Sequence, residues 1–266
     1  MSAAVKLSSP ATREFWEIPV LHEDEHLLAL DKPAGLQTAP DPLAPERPSL
    51  MGLLHEGIKA AKPWATQRNL SYLVNAHRLD TETTGVILLA KNKEASMALA
   101  DLFSSEKPVR KYVTLVQGVP PDDAFEVSEK IGPHPLREGH MRIDSRNGKK
   151  SHTEFSVLER FSRWALLRCL PRTERQQQIP LHLDYAGFPV VGDIGHGGKQ
   201  LWLSRLKKDF YLKPGREERP LLGQLTLHSE ELELVHPVTQ VPLVIKSEWP
   251  KDLRVALKYL RLYAAQ

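Results

Sequence analysis

One stretch of the 266-residue chain combines carboxylates, a histidine and an arginine with a predicted core strand. Residues 75–85 read Asn-Ala-His-Arg-Leu-Asp-Thr-Glu-Thr-Thr-Gly, and an apolar run follows at 86–90. An apolar run of this length, bounded by Gly85 and Lys91, predicts a buried strand. The threonines and the glycine before it favour a turn. We therefore expect Asp80 to lie on a short loop at the mouth of the strand.

Two interpretations of this carboxylate are possible. A charge beside a core strand is costly unless it is paired, and His77 and Arg78 are near enough in sequence to supply a donor or a charge. For an isolated aspartate in a threonine-rich loop, a turn residue paired with a neighbouring arginine is the commoner case. A catalytic interpretation of Asp80 therefore needs support from the rest of the chain.

Composition indicates an ordinary globular protein, with 41% hydrophobic and 26% charged residues. The single cysteine, Cys169, excludes an intramolecular disulfide and fits a reducing compartment. Residues 1–20 lack the apolar core of a signal peptide, and no later segment is long enough to span a membrane. These features predict a cytoplasmic protein with no membrane association.

Charge gives only weak support for a polyanionic partner, because the net charge is +3. Its distribution is uneven, since residues 137–175 contain ten Lys or Arg against five acids, a local excess of +5. A phosphate backbone requires such a cluster, but a solvated surface is the commoner explanation of one. On charge alone, the solvated surface is the better interpretation.

The remaining patterns predict alternating strands and helices. Residues 1 to about 14 lack apolar periodicity and are expected to be a flexible lead-in. Ser49 and Asn92 are predicted to cap two helices. The helix predicted over 250–264 has a buried side formed by Leu253, Ala256, Leu257 and Leu260. Strands are predicted at 26–31, 71–75, 86–90, 110–118, 153–158 and 165–170.

His77-Arg78-Leu79-Asp80, followed by Thr84-Gly85 and the apolar strand, closely resembles the signature of the RluA-type RNA pseudouridine synthases. Three further segments match motifs of that family in the same order. They are Lys32-Pro33-Ala34-Gly35, Lys111-Tyr112 on a strand that ends at Gly118, and residues 173–183 followed by 187–193. The resemblance covers about residues 15–250.

The resemblance implies an α+β fold, in which a mixed, mostly antiparallel sheet is flanked by helices and loops. It implies a catalytic domain over 15–250, with the lead-in 1–14 before it and a C-terminal helix, 251–266, packed on it. A separate N-terminal RNA-binding domain has no room in this sequence. RNA contacts are therefore expected from the catalytic domain.

The resemblance also assigns roles to individual residues. Asp80 becomes the catalytic residue, which attacks the ribose C1′ or removes a C2′ proton; both routes stay open. Arg78 would occupy the space left by a flipped base. Tyr112 would stack on the uracil and help remove the C5 proton, while Ile179 would pack against the base. Lys32 and Arg175 complete the predicted substrate-binding residues.

The last of these segments, residues 173–183 followed by 187–193, which we call the third motif, departs from the family at several positions. Pro180 stands where the family has the arginine that pairs with the catalytic aspartate, and proline offers neither charge nor donor. Proline can nevertheless occupy the first turn of a helix without strain. Gln177 replaces a family histidine, and His196 stands where a tyrosine is usual. Arg175 and Arg78 are candidates to replace the missing charge.

The predicted function is isomerisation of specific uridines to pseudouridine in structured RNA, either rRNA or tRNA, by a monomer. No metal or redox cofactor is expected, because the reaction is neutral overall and the His and Cys residues lack metal-ligand spacing. A catalytically weak or inactive RNA-binding member is the alternative that Pro180 suggests. A hydrolase would need a second acid, for which only Glu82 is close in sequence. The charged insert at 199–222 is expected to be a surface insertion, with an RNA-facing loop as the alternative.

Overall fold

The computed structural model describes residues 4–42 and 44–265. Its strands are β1 (Ala4–Ser9), β2 (Glu14–Glu23), β3 (Leu27–Lys32), β4 (Val74–Asn75), β5 (Thr84–Ala90), β6 (Val109–Gln117), β7 (Ala124–Val127), β8 (Ile131–Pro133), β9 (Met141–Ile143), β10 (Thr153–Arg160), β11 (Trp164–Pro171), β12 (Leu227–Val235) and β13 (Pro242–Lys246). Its helices are α1 (Leu50–Lys59), α2 (Pro63–Thr66), α3 (Lys93–Ser104), α4 (Gln178–Tyr185), α5 (Leu203–Leu206) and α6 (Lys251–Tyr263). A 3-10 turn covers Ile194–His196.

The first of two compact units contains the residues up to 110 and residues 229–248. Its strands follow the order β1-β2-β3-β5-β12, with β4 beside β5 and β13 beside β12. The strand predicted at 86–90 forms the buried part of β5, and α3 packs on it through Ala95 and Leu99. β3 runs antiparallel to β5 and pairs Lys32 with Gly85. This register brings the Lys-Pro-x-Gly motif beside the residues that follow Asp80.

The second unit contains residues 111–228 and those from 249 on. Its strands follow the antiparallel order β6-β11-β10-β7, and β8 and β9 form a separate hairpin. The predicted buried side of the C-terminal helix is confirmed, because the four expected residues of α6 join a core cluster with Val113 and Leu166. This helix is therefore part of the core of the second unit.

Both predicted helix caps are confirmed. The Ser49 side chain accepts a hydrogen bond from the Gly52 amide at 3.1 Å, and the Asn92 side chain accepts one from the Ala95 amide at 2.9 Å. These bonds satisfy amides that have no partner within the helix. The predicted α+β class with a mostly antiparallel sheet is also confirmed.

The N-terminal segment differs from its prediction. Residues 1–3 lie outside the described ranges, but residues 4–9, which were expected to be irregular, form β1 and pair antiparallel with β2. Val5 and Leu7 are 0% and 3% exposed, whereas Lys6 and Ser8 are exposed. This alternation is the two-residue period of a half-buried strand, in a segment too short and too polar for a clear signal. The predicted strand at 71–75 is likewise shorter, since β4 contains only Val74–Asn75.

Across the described ranges, no helix combines the length and the apolar character needed to cross a bilayer.

Candidate active site

The Asp80 loop, which we define as residues 76–83, links β4 to β5 in the first unit. Leu79 is 4% exposed, whereas Asp80 is half-buried and Arg78 is exposed. The Thr38 hydroxyl holds Leu79 by both backbone groups, because it donates to the Leu79 carbonyl at 2.8 Å and accepts from the Leu79 amide at 3.1 Å. The anchored leucine therefore leaves its two charged neighbours on the outer side of the loop.

Lys32 supports the same loop from inside. Its side chain is fully buried, and its Nζ donates to the carbonyls of Pro33, Thr81 and Thr83 at 2.9, 3.0 and 2.9 Å. These bonds use all three donors of an ammonium group. In this structure Lys32 positions the backbone of the loop, and the substrate contact expected from the sequence stays a prediction.

The charge of Lys32 also matters to the loop. Burial lowers the pKa of the Lys32 ammonium to about 8, and the carboxylates of Glu82 and Asp80 act in the opposite direction. At neutral pH the group therefore remains mostly protonated. The loop contains two carboxylates, Asp80 and Glu82, and the buried Lys32 ammonium interacts electrostatically with both.

His77 fixes the start of the loop. Its Nε2 accepts a hydrogen bond from the Leu88 amide of β5 at 3.1 Å, and its ring stacks on Phe103 with centroids 5.1 Å apart. Burial, aided by the positive charge of Arg110, lowers the pKa of His77 to about 3. His77 is therefore a neutral acceptor at physiological pH, and its place in the motif is explained by anchoring.

Two motif glycines complete the frame. The Gly35 amide donates to the Thr81 carbonyl at 3.0 Å. Gly85 has a φ of +104°, and a Cβ there would lie 2.2 Å from the Ser229 carbonyl oxygen. Any other residue at position 85 would clash with backbone, so the glycine is required at the point where the loop enters β5.

The other predicted substrate-binding residues lie in the second unit. Tyr112 is 8% exposed on β6, opposite Cys169 of β11. Ile179 is 5% exposed in the first turn of α4. Arg175 precedes that helix, is half-buried, and its Nη1 donates to the Glu174 carbonyl at 2.8 Å. The six predicted residues thus divide between the units, with Lys32, Arg78 and Asp80 in the first and Tyr112, Arg175 and Ile179 in the second.

Side chains of the third motif form a buried network. Gln178 donates to the Thr153 hydroxyl at 2.9 Å and accepts from the Thr173 hydroxyl at 2.9 Å. His182 bonds Thr153 through Nδ1 and Ser151 through Nε2, both at 2.9 Å. Burial lowers the pKa of His182 to about 4, so the ring is neutral. The network fixes α4 against the start of β10.

Pro180 occupies the third position of α4 and is buried. The first hydrogen bond of the helix is donated by the Leu181 amide to the Gln177 carbonyl at 3.1 Å. An amide at position 180 would have no partner within the helix, so proline removes no helical bond. The expectation that Pro180 fits the first turn is confirmed.

The two other departures from the family motif also make local contacts. Gln177 has a φ of +56°, and its Oε1 accepts from the Met141 amide of β9 at 2.9 Å. The neighbouring Gln176 donates to the Gly139 carbonyl at 3.3 Å. His196 lies 2.8 Å from an Asp193 carboxylate oxygen through Nδ1. These residues stabilise loops of the second unit.

Thr38 is the supporting residue that sequence reasoning missed. It lies 41 positions before Leu79, close to Pro40 and Pro42. No periodicity or spacing connects the two residues, because their contact depends on how β3 and β5 pair. No group of three or more His, Cys, Asp or Glu in the described ranges is placed to hold a metal ion.

Comparison with known proteins decides the family. The family described as RNA pseudouridylate synthase matches residues 26–185, which include the Asp80 loop and the whole of α4. The chain belongs to this family. The resemblance to RluA-type enzymes is thereby confirmed.

Named relatives extend the match over most of the chain. A ribosomal large subunit pseudouridine synthase D from Nitrosomonas europaea is 33% identical over 245 residues, which are 92% of this chain and 65% of that protein. The chain therefore spans slightly less than two thirds of that relative's length. A ribosomal large subunit pseudouridine synthase C from Escherichia coli K12 is 30% identical, over 91% of this chain and 70% of that protein.

Solved structures agree with the assigned fold. Human RNA pseudouridylate synthase domain containing 4 matches with a TM-score of 0.68 and 26% identity, covering 91% of this chain and 92% of that one. Human RNA pseudouridylate synthase domain containing 1 has a TM-score of 0.62 at 19% identity, and supports the fold alone.

Proposed function

We propose that this protein isomerises specific uridines to pseudouridine in structured RNA, with ribosomal RNA as the first substrate to test. The observation that carries the proposal is the Asp80 loop, in which buried Lys32, Thr38 and His77 hold the backbone and leave a half-buried carboxylate at the outer side. The matched relatives are named as synthases of the ribosomal large subunit, which favours rRNA over tRNA.

The reaction requires a carboxylate near the ribose of a flipped nucleotide. The bond from C1′ to N1 breaks and a bond from C1′ to C5 forms, while the C5 proton leaves and N1 gains a proton. Asp80 either attacks C1′ or removes a C2′ proton, and both routes need its ionised form. The electrostatic interaction between the buried Lys32 ammonium and the Asp80 carboxylate supports this role.

The remaining roles follow the family resemblance. Arg78 is exposed next to Asp80 and is suited to fill the space that a flipped base leaves in a helix. Tyr112 is assigned to stacking on the uracil and to removal of the C5 proton, and Ile179 to packing on the base. Arg175 is assigned to substrate binding. The catalytic-domain boundaries at 15 and 250, the monomeric state and the cytoplasmic location stay predictions.

The test is pseudouridine mapping of rRNA and tRNA from cells that lack the protein, before and after incubation with the purified chain. At least one uridine should become modified, at a position that is unmodified without the protein. Binding to the same RNA with no gain at any position would favour the inactive RNA-binding alternative that Pro180 suggests.

A further inference from the structure

Residues 199–222, which we call the 199–222 insert, are joined near their two ends by backbone hydrogen bonds. The Leu201 amide donates to the Leu222 carbonyl at 3.0 Å, and the Leu221 amide donates to the Leu201 carbonyl at 2.7 Å. Leu201, Leu206 and Leu222 are 2%, 8% and 1% exposed and join the core cluster that contains α6. The insert is therefore anchored to the second unit, and its middle part projects from a fixed base.

The projecting part is strongly basic. The insert contains seven Lys or Arg against three acids, an excess of +4, whereas the whole chain has a net charge of +3. The rest of the chain therefore sums to 3 − 4 = −1. One of the three acids, Glu218, accepts from the Ser204 amide at 2.9 Å and ties the two sides of the insert together. The insert is therefore, like residues 137–175, a segment of local positive charge in a chain whose net charge is low.

A rigid turn presents part of this charge. Residues 213–216 read Lys-Pro-Gly-Arg, Gly215 has a φ of +76°, and the Arg216 amide donates to the Lys213 carbonyl at 3.1 Å. Proline followed by a glycine of positive φ is the signature of a type II turn. Lys213 and Arg216 are both exposed at its ends.

Tyr211 lies two residues before this turn and is 76% exposed. One exposed aromatic residue is ordinary, and burial gives this one little stability. An exposed aromatic ring with lysines close in sequence is, however, an arrangement that binds single-stranded nucleic acid, since bases stack on the ring while phosphates bind the cations. Lys207 and Lys208 before the ring and Lys213 after it supply those cations.

We propose that the 199–222 insert binds an unpaired stretch of the substrate RNA, with one base stacked on Tyr211 and the adjoining phosphates bound by Lys207, Lys208 and Lys213. This inference rests on the proposed function for the identity of the RNA. It adds an RNA contact outside the Asp80 loop, and it selects RNA in which single-stranded residues flank the target uridine.

The stacking contact is tested by Tyr211→Ala, Tyr211→Phe and the control Phe15→Ala. Phe15 is 61% exposed on β2 in the first unit and matches Tyr211 as an exposed aromatic residue. The probes are a labelled uridine oligomer of about twelve nucleotides and a blunt RNA duplex of equal length. Tyr211→Ala should raise Kd for the oligomer about tenfold and leave duplex binding unchanged, while Tyr211→Phe and Phe15→Ala bind both probes as the parent does.

The phosphate contacts are tested by replacing Lys207, Lys208 and Lys213 together with glutamine. The control replaces the exposed Lys59, Lys93 and Lys107 of the first unit, which changes the net charge equally. The slope of log K against log salt for the oligomer should become shallower by about 2 in the insert variant only. Equal slopes in the two triple variants, or an unchanged Kd in Tyr211→Ala, would overturn the inference.

The experiments give different results if the inference about the insert is wrong and if the proposed function is wrong. Oligomer binding is measured without turnover, and it should depend on Tyr211 in the Asp80→Asn background as well. If the parent modifies RNA but Tyr211→Ala binds normally, only the inference about the insert is wrong. If binding depends on Tyr211 but no uridine is modified, the proposed enzymatic function is wrong and the RNA-binding surface stands.

Discussion

The Asp80 loop and the third motif are both matched to one family, but they differ in what their buried polar groups hold. In the Asp80 loop, Lys32, Thr38 and His77 bind backbone and leave a carboxylate at the outer side. In the third motif, Gln178 and His182 bind side chains at the start of β10 and fix a helix. The first arrangement positions the backbone around the proposed catalytic carboxylate, whereas the second maintains packing. Substitutions that support the Asp80 loop should therefore lower both activity and stability, whereas substitutions in the third motif should lower stability alone.

The largest effect is expected from Lys32→Met. The change leaves three carbonyls without their donor and removes the cation beneath Asp80, so we expect a loss of about 3 kcal/mol in unfolding free energy and at least about a hundredfold loss of kcat. Chemical denaturation and single-turnover modification of RNA measure the two quantities. The control is Lys91→Met. The Lys91 Nζ lies 3.2 Å from a Glu23 carboxylate oxygen, and this pair is outside the Asp80 loop. That variant should lose stability but retain kcat, and equal kcat values in the two would refute the positioning role.

Thr38→Val should have the next largest effect on activity. It removes both bonds to Leu79, with an expected cost of about 1–2 kcal/mol and a fall in kcat of about tenfold. Thr226→Val is the matched control, since its buried hydroxyl donates to the carbonyls of Leu115 and Val191 in the second unit. A similar loss of stability with unchanged kcat is expected there. If both variants slow the reaction equally, Thr38 has no special connection with Asp80.

Lowering the pH should reduce the stability contributed by both the Asp80 loop and the third motif. The pKa values of His77 and His182 are lowered to about 3 and about 4, from an ordinary value of 6.5. Between pH 6.5 and each lowered pKa, the histidine binds a proton in the unfolded chain but not in the folded chain. The free energy of unfolding therefore falls as the pH decreases below about 6.5. Unfolding free energies at pH 7 and pH 5 measure this loss. His182→Gln should show a smaller loss than the parent, and an equal loss would mean that His182 is not the neutral group described here.

Pro180→Ala should have the smallest effect. Because position 180 donates no helical hydrogen bond, we expect a change of less than about 1 kcal/mol in unfolding free energy and little change in kcat. Thermal unfolding and single-turnover kinetics check both. A large fall in kcat would show that the proline itself contributes to the reaction.

The sequence predicted much of this arrangement because the residues concerned are local. The apolar run of β5, the Ser49 and Asn92 caps and the buried side of α6 follow from periodicity and capping within short windows. The family motifs located the Asp80 loop for the same reason. The sequence also predicted correctly that Pro180 would fit the first turn of a helix.

The supports of the loop could not be predicted in the same way. Thr38 and Leu79 are 41 residues apart, and Lys32 and Thr83 are 51 apart, so their bonds depend on strand register. A lysine in a turn motif also looks like a surface residue, and burial appears only once β3 and β5 are paired. Strand β1 was missed because an alternation of two apolar residues is too short a pattern to distinguish from an irregular segment.

The central claim is that the fixed Asp80 carboxylate carries out the isomerisation. Asp80→Asn retains the shape of the side chain but removes its charge, so single-turnover modification and RNA affinity should be measured on the same preparation. The account predicts RNA affinity within about twofold of the parent and no pseudouridine above background. Measurable pseudouridine formation by Asp80→Asn would contradict it.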